Sequence, residues 1–287
     1  MTLDHDTIER LLAGVADAGR EVMGIYRGGY GVEQKADDSP ITEADMASHH
    51  ALMALLAHET PEIPVISEEA AEIPVAERRG WSRFWLVDPL DGTREFIAGN
   101  DEFTLHVALV EDGVPVFGIV HAPALPVGPM TWWGQLGQGA YRREVTDTGA
   151  GDFETSIHVR DLPDPALEPW QVVGSRRNGL AAFEAFCQAL PAHATRNIGS
   201  SLKFCLIAEG QADLYPRLAP TYEWDTAAAQ AILTAAGGEL LDAETLEPLR
   251  CNQGDSLLNP GFIACGQRDP RWERALAEAR AEGSESR

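Results

Sequence analysis

FWLVDPLDGT, residues 84–93 of a 287-residue chain, is the stretch from which the fold can be worked out. Phe84 to Val87 are apolar without alternation, the pattern of a strand buried on both faces. Asp88 then falls at the strand's carboxyl end, where α/β proteins place their ligands. Pro89 restrains the backbone, and Asp91 follows three residues later. Two carboxylates and the intervening Leu90 carbonyl can converge on one point, and three hard oxygens suit Mg²⁺. Gly92 and Thr93 add N–H groups and a hydroxyl at a helix start, a natural seat for phosphate. An acidic loop with an N-capping aspartate fits the same letters.

Downstream, TLHVALVEDGVPVFGIVHAPA (104–124) and the segment around Trp132 and Trp133 predict successive antiparallel strands, with a turn at Asp112-Gly113. Upstream, Ile8, Leu11, Leu12, Val15, Val22 and Ile25 recur at helical spacing up to Gly28-Gly29. A second helix is expected from Met46 to His58, halted at Thr60-Pro61, and a strand, IPVIS (63–67), ends in Glu68-Glu69. Residues 145–169 are rich in Asp, Gly, Pro and Thr, which places a boundary between an α+β half (1–150) and an α/β half (151–287). Beyond it, strands WQVVGS and ADLYPR alternate with helices LAAFEAFCQAL and LKFCLIAEG. The Ala-rich helix TAAAQAILTAAGG then closes at Gly237-Gly238.

Composition excludes several classes of function. The chain carries 45 acidic against 22 Lys and Arg residues, a formal net charge of −23. With no basic stripe to offset that charge, nucleic-acid binding is not expected. No apolar run reaches the roughly 18 residues of a membrane span, and the N-terminus lacks the basic start of a signal peptide. The four cysteines show no C-x-x-C spacing, so a reducing, cytoplasmic setting is expected, with a peripheral position at the inner membrane face as a variant. There is no G-x-S-x-G, Walker A loop or G-x-G-x-x-G.

Other segments admit a structural and a chemical reading. Glu68 could bridge a second metal or lie in a solvated loop. Asp225 reads most simply as the N-cap of the Ala-rich helix, although Ala227, Ala228 and Ala229 leave room for a backbone or a ligand to approach. Around the Pro40 turn, Thr42 and Asp45 form a capping-box pattern, with Lys35 nearby. In GSSLKF (199–204), Ser200 and Lys203 could cradle an anion, and Arg217 could be a second cation.

The ordered set SPITEAD (39–45), SEE (67–69), DPLDGTREF (88–96) and WDTAAAQAILTAAGG (224–238) resembles the inositol monophosphatase superfamily of Mg²⁺-dependent, lithium-sensitive phosphatases. Within it, GSSLKFCLIAEGQADLYPR (199–217) and SLLNPGF (256–262) are similar to the bacterial 3'(2'),5'-bisphosphate nucleotidases. The resemblance implies a layered αβαβα sandwich with its site between two halves. It implies two or three Mg²⁺ ions on Glu68, Asp88, the Leu90 carbonyl, Asp91 and Asp225. Asp45, Thr93 and Glu68 would align the attacking water, with Asp91 in the catalytic set. Gly92, Thr93, Ser200, Lys203, Arg217 and Asp225 would contact substrate. The implied reaction removes the 3'-phosphate of adenosine 3',5'-bisphosphate to give AMP, with the sulfated precursor as a further substrate. An inositol or sugar phosphate monophosphatase, or a non-catalytic Mg²⁺ and nucleotide binder, are the alternatives. One departure stands out: the bacterial relatives read S-R-S-H where this chain has Ser175-Arg176-Arg177-Asn178.

Overall fold

The structure, a computed structural model, describes residues 2–34, 40–70, 73–144, 153–176 and 179–285. Lys35, Asn178 and residues 145–152 of the boundary stretch lie outside the described residues. The buried apolar run is the strand Arg83–Asp91, second in a seven-stranded sheet. Its first neighbour, Val65–Ser67, is parallel to it, and the strands from Thr104–Glu111 through Phe153–Ile157 continue antiparallel in chain order.

Alternation along this strand assigns its two faces to two cores. Trp85 and Val87 pack with the helices His5–Gly28 and Glu43–Glu59, while Phe84 and Leu86 pack with the helices Leu202–Ala208 and Ala227–Ala235. That second core continues onto one face of a five-stranded sheet through Tyr215, Leu240 and Phe262. The other face, with Leu214, Leu241 and Ile263, buries Phe186 of helix Leu180–Ala189 and Trp272 of helix Pro270–Glu285. The result is the five-layered αβαβα sandwich.

The five-stranded sheet runs in the order His193–Asn197, Trp170–Gly174, Leu214–Arg217, Phe262–Cys265, Glu239–Asp242, its first three strands parallel and its last two joined antiparallel. Phe153–Ile157, from within the Asp/Gly-rich stretch, pairs with Gly139–Glu144 at the edge of the larger sheet. Among the described residues no helix is long and apolar enough to cross a membrane, and all four cysteines are free and buried.

The Ala-rich helix lies between the sheets. Its small first turn accommodates another backbone: a Cβ at Gly118, on strand Val114–Ala122, would meet the Ala228 carbonyl oxygen at 2.1 Å. Gly237 terminates this region with a left-handed backbone, φ 96°.

His121, on the same strand as Gly118, is buried beside the first helix, with Nδ1 2.8 Å from the Thr131 hydroxyl. Burial, with a smaller contribution from Arg20, lowers its pKa to about 4. An unfolded histidine titrates near 6.5, so this group's contribution to stability is present above pH 6.5 and is lost as pH falls towards 4. The gap is worth about 3 kcal/mol. Denaturant titrations at pH 7 and pH 4.5 are expected to show His121→Gln losing less stability on acidification than the wild type, by about 2 kcal/mol. An equal loss in both proteins would exonerate His121.

Candidate active site

Asp88 and Asp91 are three positions apart, an odd offset that on a regular strand would send them to opposite faces. The register resolves this. Asp88 pairs with His106 and Asp91 with Thr104, so three steps on one strand oppose two on the other, and a bulge lies between them. The extra residue returns Asp91 to the face occupied by Asp88, while Leu90 packs into the core on the helical side. The Leu90 N–H donates to Asp88 Oδ1 at 3.0 Å, closing the turn. From helix Glu43–Glu59, Ser48 Oγ donates to the Pro89 carbonyl at 2.7 Å and anchors it.

Asp225 reaches the same point from the opposite side of the cleft. It is not the N-cap of the Ala-rich helix, a position taken by Thr226; it ends a short 3-10 turn, Glu223–Asp225. Its Oδ2 accepts the Tyr222 N–H at 2.9 Å. One carboxylate oxygen from each of Asp88, Asp91 and Asp225 lies within 4.8 Å of the others. Burial raises the pKa of Asp88 well above the usual carboxylate range, and the neighbouring Glu68, Asp91 and Asp225 raise it further. Asp225 is raised by burial and then by Asp91. Hard oxygen donors in mutual repulsion, held inside the protein, fit a divalent cation.

Asp45 satisfies both of its sequence readings at once. Oδ2 closes the capping box, accepting from the Thr42 N–H at 2.7 Å and the Thr42 hydroxyl at 2.6 Å. Oδ1 accepts from the Thr93 hydroxyl at 3.1 Å. Thr93 also lies 3.4 Å from the Leu90 carbonyl and begins the short helix Thr93–Ala98. Gly92 before it has φ 95°, and a Cβ there would come within 3.2 Å of the Glu102 carbonyl. Asp45 acts on the cleft through Thr93, which lines it with Glu68, Asp88, Leu90, Asp91 and Gly92.

The cleft, of about 540 Å³, is also lined by Ser200, Lys203, Arg217 and Asp225. Ser200 takes a left-handed backbone, φ 51°, and its hydroxyl donates to Asp91 Oδ2 at 2.5 Å, joined there by the Ser201 N–H at 2.8 Å. The GSS loop thus spends these two donors on Asp91. Lys203 is buried, and its ammonium donates to the carbonyls of Ile198, at 3.1 Å, and Ser200. It lies 5.0 Å from the Tyr215 ring centroid, and burial lowers its pKa to about 8. The Arg217 guanidinium donates to the carbonyls of Ala219 at 3.2 Å and Pro220 at 3.3 Å.

Sequence reasoning missed Thr104 and His106, the cross-strand partners of Asp91 and Asp88, which hydrogen-bond each other and reach Ser200 and the Trp224 carbonyl. Knowledge of the strand register would have found them. It also missed Arg94, Tyr222 and Leu258 in the cleft wall, which no local pattern marks.

A model of the inositol monophosphatase family matches residues 4–285. The chain belongs to this family. It is 45% identical over 249 residues to the 3'(2'),5'-bisphosphate nucleotidase CysQ of Escherichia coli O157:H7, covering 86% of this chain and 94% of the relative. Among solved structures of the inositol monophosphatase family, CysQ from Bacteroides thetaiotaomicron superposes with a TM-score of 0.76 at 38% identity, over 91% of this chain and 97% of that one. A Thermotoga maritima IMPase shares the fold, with a TM-score of 0.76 at 23% identity over 96% and 99% of the two chains.

Proposed function

We propose that the chain is a Mg²⁺-dependent 3'(2'),5'-bisphosphate nucleotidase that converts adenosine 3',5'-bisphosphate to AMP and also accepts the sulfated precursor. The observation that carries this reading is the placement of the Asp88, Asp91 and Asp225 carboxylates in one cleft with two further cations, Lys203 and Arg217. A substrate with a single phosphate has less need of those cations. The likeness to CysQ nucleotidases supports the same substrate class.

Glu68, Asp88, the Leu90 carbonyl, Asp91 and Asp225 would hold two or three Mg²⁺ ions. Bound there, the cations supply positive charge against the phosphoryl oxygens and acidify water. The chain's own groups do the positioning. Asp45 accepts the Thr93 hydroxyl proton, which leaves the Thr93 oxygen to accept from the attacking water and align it with phosphorus. The water oxygen bonds to phosphorus, the bond to the 3' oxygen breaks, the attacking water's proton passes to the Thr93–Asp45 pair, and the departing 3' oxygen takes a proton from solvent water to become the 3' hydroxyl of AMP. Gly92 and Thr93 face the scissile phosphate. Ser200 positions Asp91, and Lys203 with Arg217 balances the second phosphate. The site would lie between an N-terminal half, 1–150, and a C-terminal half, 151–287, in a cytoplasmic protein.

Phosphate release from adenosine 3',5'-bisphosphate and from inositol 1-phosphate, each with and without Mg²⁺, tests the reading. The expected result is a large Mg²⁺-dependent preference for the nucleotide. A preference for the inositol ester would transfer the function to the monophosphatases of the family, and binding without phosphate release would make the protein non-catalytic.

A further inference from the structure

Tyr222 and Leu258 are large apolar residues left exposed, 38% and 47%, and both line the cleft that holds the carboxylates. The Tyr222 ring lies parallel to that of buried Trp224, centroids 4.6 Å apart and planes 11° from parallel. Its main chain is held three ways. The N–H donates to Asp225 Oδ2 at 2.9 Å, the carbonyl accepts from Asn259 Nδ2 at 2.8 Å, and the residue forms a β-bridge with Leu258. The platform is therefore rigid before any ligand arrives and is tied directly to one of the clustered carboxylates.

A fixed aromatic plane at the mouth of a polar cleft offers its surface to a flat π-system, at little ordering cost. An inositol or sugar ring has no such face. A ligand that reaches the carboxylates, the two cations and this plane together must carry two phosphates and an aromatic ring. We propose that Tyr222, flanked by Leu258, is the stacking wall for the substrate's purine and a specificity-determining residue. This rests on the nucleotide reading above.

Steady-state kinetics of Tyr222→Ala and Tyr222→Trp, with adenosine 3',5'-bisphosphate and the abasic tetrahydrofuran 3',5'-bisphosphate as paired substrates, provide the test. Tyr222→Ala is expected to raise KM for the nucleotide by about 10- to 100-fold and to lower the preference for it over the abasic ester by the same factor. Tyr222→Trp should restore that preference. Equal losses on both substrates would assign Tyr222 a purely structural role and overturn the proposal, as would no loss on either. If the wild type cleaves both esters without preference, the stacking wall fails while the phosphatase stands. If it cleaves neither, the nucleotide reading itself falls and takes this proposal with it.

Discussion

Asp225→Asn is expected to lower phosphate release by about 10³-fold or more while raising the melting temperature of the metal-free protein. The two effects share one cause. Asp225 is held inside the protein against Asp91 and Glu68, and burial followed by these like charges raises its pKa well above the carboxylate range. Without a cation, the ionised carboxylate therefore destabilises the fold. An amide has nearly the same shape, can still accept the Tyr222 N–H, and carries no charge. It also removes a hard anionic oxygen from the set that would bind the cation. Mg²⁺ should accordingly raise the melting temperature of the wild type more than that of the variant, since a ligand bound only to the native state stabilises it by mass action. Melts in chelator, melts across a Mg²⁺ titration and initial rates together read out the prediction. Substantial activity would remove Asp225 from the site, and a lower metal-free melting temperature would make its role structural.

Gly118→Ala should be the most damaging single-methyl addition in the central layer. The new Cβ would sit 2.1 Å from the Ala228 carbonyl oxygen and within 2.9 Å of its C and Cα atoms. All three are backbone, so no side-chain rotation relieves the clash, and the helix has to move away from the sheet. Overpacking on this scale is expected to cost about 3 kcal/mol or more and to lower Tm by at least ~5 °C. Activity should fall as well, because Asp225 is joined to the displaced helix through its N-cap, Thr226. Gly134→Ala provides a graded comparison, its Cβ lying 3.0 Å from Ile232 Cα and 3.1 Å from Ala235 Cβ. Gly24→Ala, with nothing within 4 Å, should be neutral or stabilising by up to about 1 kcal/mol. Equal denaturation midpoints for the Gly118 and Gly24 variants would refute the close-approach explanation.

How much of this could be read in advance depended on whether the determinant was local. FWLV and the strands that follow it are continuous apolar runs, and each lies where its letters placed it. The smaller sheet was harder. Glu239–Asp242 and Phe262–Cys265 are four-residue strands without room for a period, and His193–Asn197 is an edge strand whose last four residues are exposed. The helix Pro270–Glu285 is easily read as a charged tail, yet Trp272, Ala275, Leu276 and Ala279 form its buried stripe. In the site, Asp88, Asp91 and Gly92 announce themselves within one turn. The doubling of Asp45 as helix cap and partner of Thr93, and the engagement of Lys203 by loop carbonyls, depend on contacts across 48 residues in one case and on the loop's three-dimensional path in the other.

The bulge between Asp88 and Asp91 makes the interval between them a parity device. The side chain at position 90 belongs to the hydrophobic interior, while its carbonyl lies 3.4 Å from the Thr93 hydroxyl of the cleft. Exchange of one aliphatic residue for another at position 90 is thus a packing matter, whereas loss or gain of a single residue in the interval would rotate one carboxylate to the far side of the sheet. Along this turn, the geometry constrains length more tightly than the choice of aliphatic side chain at position 90.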